Sequence, residues 1–375
     1  MKNPFVTNGY VSPEYFCDRE KETAKIVSLL MNENNIALIS PRRLGKTDLL
    51  RHCFGQPEIK EHYHSFIIDI YATSSVRDFV NVFGKAVLDE LRPKGKSVWS
   101  TFLNVLASLR SEITFDMNGQ PTWGIGLGAI TNPSATLDEI FSYLNNAGKP
   151  CLIAIDEFQQ ITKYTDDPNI EAALRTHIQR CSNAHFVFSG SHRHLMGAMF
   201  TSPARPFYQS VTLINLPPIS VDKYAEFCHK NFELAGKRLD TLVVTELYER
   251  FNGITSYMQK VMNILFSMTG AGEICIPSMI DTAINDLLDF SADTYNALLY
   301  QMPEKQRIAF MAIAAEGKAK AISSGDFVRK YRLQSASSVS SAVKGLLEKD
   351  FITYDKGIYQ VYDQFFQLWL QRNKL

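Results

Sequence analysis

One eight-residue stretch limits what this chain can fold into more than any other. Ser40-Pro41-Arg42-Arg43-Leu44-Gly45-Lys46-Thr47 lies between the apolar run 36–39 and a helical pattern over 47–53. It fits GxxxxGK[ST], with Ser40 in place of the first glycine. A tight loop leading from strand to helix turns successive backbone N–H groups inward. With the positive helix end they make a cradle for α- and β-phosphates. Gly45 permits close backbone approach, Lys46 reaches the β/γ-oxygens, and the Thr47 hydroxyl is a ligand for Mg²⁺. The segment from Ser40 through Thr47, with Asp48 after it, is the expected nucleotide-binding loop. Such a loop needs a strand before it and a helix after it, so the chain must contain an α/β domain.

A second motif answers the first. Leu152-Ile153-Ala154-Ile155-Asp156-Glu157 is an apolar strand ending in two carboxylates. At the C-terminal end of a strand, Asp156 is placed to hold Mg²⁺ and Glu157 to orient and polarise an attacking water. Another strand, 65–70, separates the two motifs in sequence, as in ATPases that carry a catalytic glutamate. A fourth strand, 185–188, leads into Ser189-Gly190-Ser191, and Ser191 is the expected polar tip that senses the γ-phosphate or the water. Arg193 and Arg205 follow and are the candidates for an arginine finger.

The remaining apolar runs place these motifs in one sheet. Strands are expected at 36–39, 65–70, 151–155, 185–188 and 211–216, with helices at 47–53, 76–91, 137–145 and 169–180. An insertion over 112–128 alternates apolar and polar residues around Asn118-Gly119, a hairpin signal. Its Gly124, Gly126 and Gly128 imitate a dinucleotide fingerprint, but no helix opens after a preceding strand there. Residues 98–109 read as a packing helix beneath it. Pro217-Pro218 closes the sheet, since two prolines cannot continue a central strand. From there strands are expected to vanish, and 221–234, 239–251, 256–268 and 277–288 read as helices. A third unit begins near Pro303: helices at 304–315, 324–331 and 335–349, then a hairpin over 351–361 that turns at Asp355-Lys356-Gly357. That is the layout of a winged helix.

Composition narrows the class. The chain has 375 residues, 45% hydrophobic and 21% charged, which excludes disorder as its general state. Thirty-nine basic residues balance 39 acidic ones. Twelve of the former and seven of the latter fall in 304–375, so a basic terminal unit sits on an acidic remainder. The neutral total argues against a coat-like nucleic-acid binder and leaves phosphate contact to that terminal unit. No apolar run is long enough to span a membrane, and residues 1–13 hold no secretory core. The six cysteines form no C-x-x-C pair and read as reduced thiols of a cytoplasmic protein. Cys181, His185, His192 and His194 lack the spacing of a zinc set, and His62 and His64 read as strand-edge residues.

Taken together, Asn3-Pro4-Phe5, Tyr15-Phe16, Asp18-Arg19-Glu20, the 41–47 loop, Ile155-Asp156-Glu157-Phe158, Ser189-Gly190-Ser191 and Pro206-Phe207-Tyr208 resemble the archaeal-type P-loop ATPases, an AAA+/STAND-related group. Residues 359–370 resemble the end of the winged helix in the same group. The resemblance implies a P-loop NTPase (AAA+-like) core with a parallel five-stranded sheet over 1–218, a helical lid over 219–302 and a winged helix over 303–375. It also implies that Phe16 and Arg19, ahead of the loop, contact adenine. The lid's usual Gly-x-Pro is here Gly253-Ile254-Thr255. Some relatives carry a nuclease-like domain after the winged helix; none is expected before Leu375. The expected function is an ATPase with ATP and Mg²⁺ as cofactors, coupling nucleotide state to lid and winged helix. Lys46, Glu157 and Ser191 are its catalytic residues, and Thr47 and Asp156 hold its metal. The alternative is a nucleotide-switched module that binds double-stranded DNA through 303–375, or a protein partner or second copy, with little turnover. No membrane partner is expected.

Overall fold

Runs of β-branched and aromatic residues pair where both of their faces are covered, and that is how the chain builds its main sheet. In the computed structural model, which describes residues 2–91, 113–115, 121–123 and 133–373, the strands of the first half are β1 (Ile36–Ile39), β2 (His64–Asp69), β3 (Ile113–Phe115), β4 (Pro121–Trp123), β5 (Cys151–Asp156), β6 (Ala184–Gly190) and β7 (Thr212–Asn215). Five of them form a parallel sheet in the order β2-β5-β6-β1-β7. Strands buried on both faces read as continuous apolar runs rather than alternating ones, as in the fully buried β1, β5 and β6. The antiparallel pair β3–β4 keeps Ile113 opposite Trp123, as a hairpin there requires.

Helices cover both faces. α1 (Glu20–Met31) precedes β1, and α2 (Lys46–Phe54) and α3 (Pro57–His62) lie between β1 and β2. Ile26, Leu30, Leu49, Leu50 and Ile59 pack there against Leu38, Leu152, Ala154 and Val187. On the other face lie α4 (Val76–Glu90), α5 (Pro133–Asn145), α6 (Ile170–Arg180) and α7 (Arg193–Thr201). Phe79, Phe83, Phe141 and Leu174 meet Ile39, Ile153, Ile155, Phe186 and Phe188. The alternation of faces along each strand follows from the period of two.

Asn8–Lys223 is one compact unit. Tyr224–Leu375 with Met1–Thr7 is the other. The first residues therefore belong with the second unit, a departure from the expected 1–218 division. The cause is a ring cluster: Phe5 is fully buried, 5.9, 5.8 and 5.7 Å from Phe227, Phe232 and Phe266. Asn263 Nδ2 donates to Phe5 O at 2.7 Å, and Asn3 Nδ2 to Asn263 O at 2.8 Å.

Helices α8 (Val221–Leu234), α9 (Thr241–Arg250), α10 (Thr255–Met268) and α11 (Met279–Gln301) follow. Two expectations fail here. Strands do not vanish: β8 (Arg238–Leu239) and β9 (Ile274–Cys275) pair in parallel, and two residues are too few to show a period. The helix expected to end at 288 runs to Gln301, with Tyr295 and Leu299 buried, because nothing before Pro303 breaks it. The last elements are α12 (Glu304–Glu316), β10 (Ala319–Lys320), α13 (Gly325–Lys330), α14 (Ala336–Glu348), β11 (Ile352–Asp355), β12 (Ile358–Val361) and α15 (Gln364–Asn373). They make a winged helix whose sheet has a third strand, in the order β10-β12-β11. Lys356 and Gly357 both have positive φ, 47° and 81°, the two-residue turn that matches strand twist. The 98–109 helix, the Asn118-Gly119 turn and Gly124, Gly126 and Gly128 lie outside the described residues.

Candidate functional site

The sheet order brings the separate motifs together. β6 lies between β1 and β5, so the strand that ends near Ser191 adjoins both the strand before the loop and the strand before Asp156. Ile39 is in register with Gly190.

Between β1 and α2 the loop is built from left-handed turns. Arg43 has φ 69° and Gly45 φ 82°. A Cβ at Gly45 would meet no described atom within 4 Å, so glycine is needed there for its backbone angle, not for space. Ser40 and Leu44 are buried, and Ser40 Oγ donates to Pro41 O at 3.0 Å. Lys46 folds over the loop, its Nζ donating to Ser40 O at 3.2 Å and to Pro41 O at 3.4 Å. It is 6% exposed. Burial lowers its pKa, with Asp156 and Glu157 opposing and Arg42 adding to the shift. An ammonium so placed lacks a full set of anionic partners, which a phosphate supplies.

Thr47 Oγ1 donates to Asp156 Oδ2 at 2.5 Å. A hydroxyl and a carboxylate at that separation are a hard-oxygen pair suited to Mg²⁺. Asp48 forms an ion pair with Arg51 at 3.4 Å, and burial raises its pKa against that neighbour.

Glu157 adopts a left-handed conformation, φ 55° and ψ 40°, which costs a non-glycine residue about 1–2 kcal/mol. Asp156 Oδ1 accepts from its N–H at 3.0 Å. Glu157 Oε2 accepts from Ser191 Oγ at 2.8 Å and from Gln159 Nε2 at 2.5 Å. Arg42 Nε is 3.8 Å from Oε1 and donates to Ser191 Oγ at 3.1 Å, while its guanidinium lies 5.3 Å over the Tyr71 ring. Lys46, Thr47, Asp156, Glu157, Ser191 and Arg42 are thus assembled in one place.

Other expected residues sit apart from that cluster. Phe16 stacks on His52 of α2 at 4.4 Å, with Tyr10 edge-on to both. Arg19 is 3% exposed and its Nη1 bonds Glu22 at 2.9 Å, while its Nη2 is buried without a partner. Arg205 is committed to Glu171 in an ion pair, which removes it as a free finger; Arg193 opens α7. Sequence reading missed Gln159, Tyr71 and Asp69, the last of which is in register with Asp156. None of the three carried a sequence signal: Gln159 is buried beside Phe158, but in sequence it is one of two adjacent glutamines.

Comparison with known proteins gives the family and the fold. Residues 16–261 match the family model described as an ATPase domain predominantly from Archaea. Residues 293–372 match one described as a probable winged helix domain. Among solved structures, a Walker-type ATPase of Pyrococcus abyssi is similar, with 17% identity, a TM-score of 0.63, and coverage of 98% of this chain and 99% of that one. The Orc1 protein of Aeropyrum pernix in complex with DNA has 12% identity and a TM-score of 0.57, covering 99% of this chain and 97% of that one. The Orc2 protein of Aeropyrum pernix, in ADPNP–ADP complexes, has the same identity and TM-score, covering 99% and 98%. No curated protein matched.

Proposed function

Because this chain belongs to the family of ATPase domains found predominantly in Archaea, we propose that it is a Mg²⁺-dependent ATPase in which Glu157 activates the water. The observation that carries this reading is the 2.5 Å contact of Thr47 with Asp156 one residue before Glu157. Loop and carboxylates are a matched set rather than two isolated motifs.

The backbone N–H groups of 42–47 and the α2 N-terminus bind the phosphates, and Lys46 leaves its loop carbonyls for the β/γ-oxygens. Thr47 and Asp156 hold Mg²⁺, which supplies neutralisation of phosphate charge. Glu157 accepts the proton of the attacking water, and Ser191 orients that water or the terminal phosphate. Phe16 and Arg19 face adenine. The division into a core up to 218, a lid over 219–302 and a winged helix over 303–375 belongs to the same proposal, with residues 1–7 going to the second unit. In it, nucleotide state moves the lid and winged helix. Buried free thiols suit a cytoplasmic setting.

A second reading, a nucleotide-switched DNA-binding module, draws on α14. Ser337, Ser340, Ser341 and Lys344 are exposed along it, and a similar protein was solved with DNA. Phosphate release with and without duplex DNA separates the two. Expected are measurable turnover in the wild type, loss of Mg-ATP binding in Lys46→Ala by calorimetry, and retained binding with at least about tenfold slower hydrolysis in Glu157→Gln. Turnover unchanged in Glu157→Gln refutes the base assignment.

A further inference from the structure

The geometry points to Gln159 as the positioning residue for Glu157: its side-chain amide holds the Glu157 carboxylate in place, and Gly190 is glycine so that this amide can do so. The inference rests on the reading of Glu157 as the base.

Three observations converge. Gln159 is 2% exposed, where a polar side chain is rare unless its hydrogen bonds are used. Its Nε2 donates to Glu157 Oε2 at 2.5 Å. An ionised carboxylate only accepts, so the nitrogen must face it and the amide oxygen must point the other way. That oxygen, Oε1, is buried without a partner. A glutamine that leaves one end unsatisfied to keep the other on a carboxylate is fixed by that carboxylate, not by general packing.

Gly190 completes the arrangement. It ends β6, one residue before Ser191, and a Cβ there would lie 2.4 Å from Gln159 Oε1 and 2.5 Å from Met196 Sδ. Its φ is not in the left-handed region, so the backbone itself does not ask for glycine. Space does, and the space is taken by the Gln159 amide together with the Met196 side chain. Because Glu157 sits in a left-handed conformation next to a short 3-10 helix, Phe158–Lys163, its carboxylate needs a fixed partner to keep one direction. Ser191 is a rotatable hydroxyl that also accepts from Arg42; the Gln159 amide is planar and enclosed.

The test compares Gln159→Met, Gly190→Ala, Glu157→Gln and the Gln159→Met/Glu157→Gln double variant in the full chain. Two readouts are used: steady-state ATP hydrolysis, and the Gln159 side-chain amide signal by NMR of the nucleotide-free protein. Gln159→Met is expected to lower kcat about tenfold with KM for ATP and the melting temperature little changed. Gly190→Ala, which keeps Gln159 but crowds its amide and the Met196 side chain, should lower kcat likewise, with KM little changed and some loss of melting temperature. The double variant should be no slower than Glu157→Gln alone. The Gln159 amide proton, identified by its loss in Gln159→Met, should resonate downfield and shift upfield in Glu157→Gln and Gly190→Ala. Gln159→Met with wild-type kcat while Glu157→Gln is impaired overturns this inference and leaves the base standing. Full activity of Glu157→Gln overturns the base reading, and the NMR shift then still decides whether the amide holds that carboxylate. An amide signal insensitive to Glu157→Gln ends the proposal regardless of turnover.

Discussion

At the scale of single residues, the site holds charge where water would not leave it. Lys46 is charged below its folded-state pKa, which burial has pushed under the ordinary 10.5. Between that depressed value and 10.5 the unfolded chain binds the extra proton, so this group's penalty on stability fades as pH rises through the window. Lys46→Met should therefore lose Mg-ATP binding yet make the nucleotide-free protein more stable at neutral pH. The margin over wild type should shrink toward pH 10.5, read from denaturant midpoints across pH. A lower midpoint in the variant would show that the Ser40 and Pro41 contacts outweigh desolvation. Asp156→Asn should weaken Mg²⁺-dependent nucleotide binding by about tenfold or more, since a hard cation loses its charged ligand; calorimetry with and without Mg²⁺ checks it. Elsewhere burial pushes the Cys53 and Cys151 thiols up to about 12. Both should stay silent to a thiol reagent at pH 8 until the chain is unfolded.

At the scale of elements, much of the site was legible because strands and the loop are local events. The 36–39 and 151–155 runs, the GK[ST] turn and the double carboxylate each carry their own signal within a few residues. What stayed hidden depends on packing across the sheet: that Gln159 turns back onto Glu157, that Arg42 reaches Ser191, that Arg205 is spent on Glu171. Helices α1, α3, α7 and α15 were passed over because their neighbours carried stronger motifs. Capping shows the same local legibility. Ser335 Oγ accepts from Ser338 N at 3.1 Å to open α14, so Ser335→Ala should cost about 1 kcal/mol by chemical denaturation. On the proposed duplex-binding face, Lys330 is held by Glu316 at 2.6 Å. Lys344 is 4.0 Å from Glu348, a looser contact that a phosphate can displace. That leaves Arg332, Lys344 and Lys356 for phosphates, and log affinity should fall with log salt at a slope of about −2.7. A titration of the whole chain against duplex DNA measures it. A slope unmoved by Lys344→Ala with Lys356→Ala would assign this face to protein contact.

For the whole molecule, the feature with the widest reach is Phe5 seated among Phe227, Phe232 and Phe266. Phe5→Ala should destabilise the Tyr224–Leu375 unit by about 3–5 kcal/mol and leave the thermal transition of Asn8–Lys223 in place, as followed by calorimetric unfolding. The same contact has a consequence in time. Residues 3–5 are made well before Phe266, and their pocket is incomplete until Phe266 has followed. At about 5–20 residues per second that delay is on the order of ten to fifty seconds. Throughout it the sheet unit can fold while the apolar segment around Phe5 stays unclaimed, so the Tyr224–Leu375 unit recruits one of its buried side chains from a stretch made before the sheet itself.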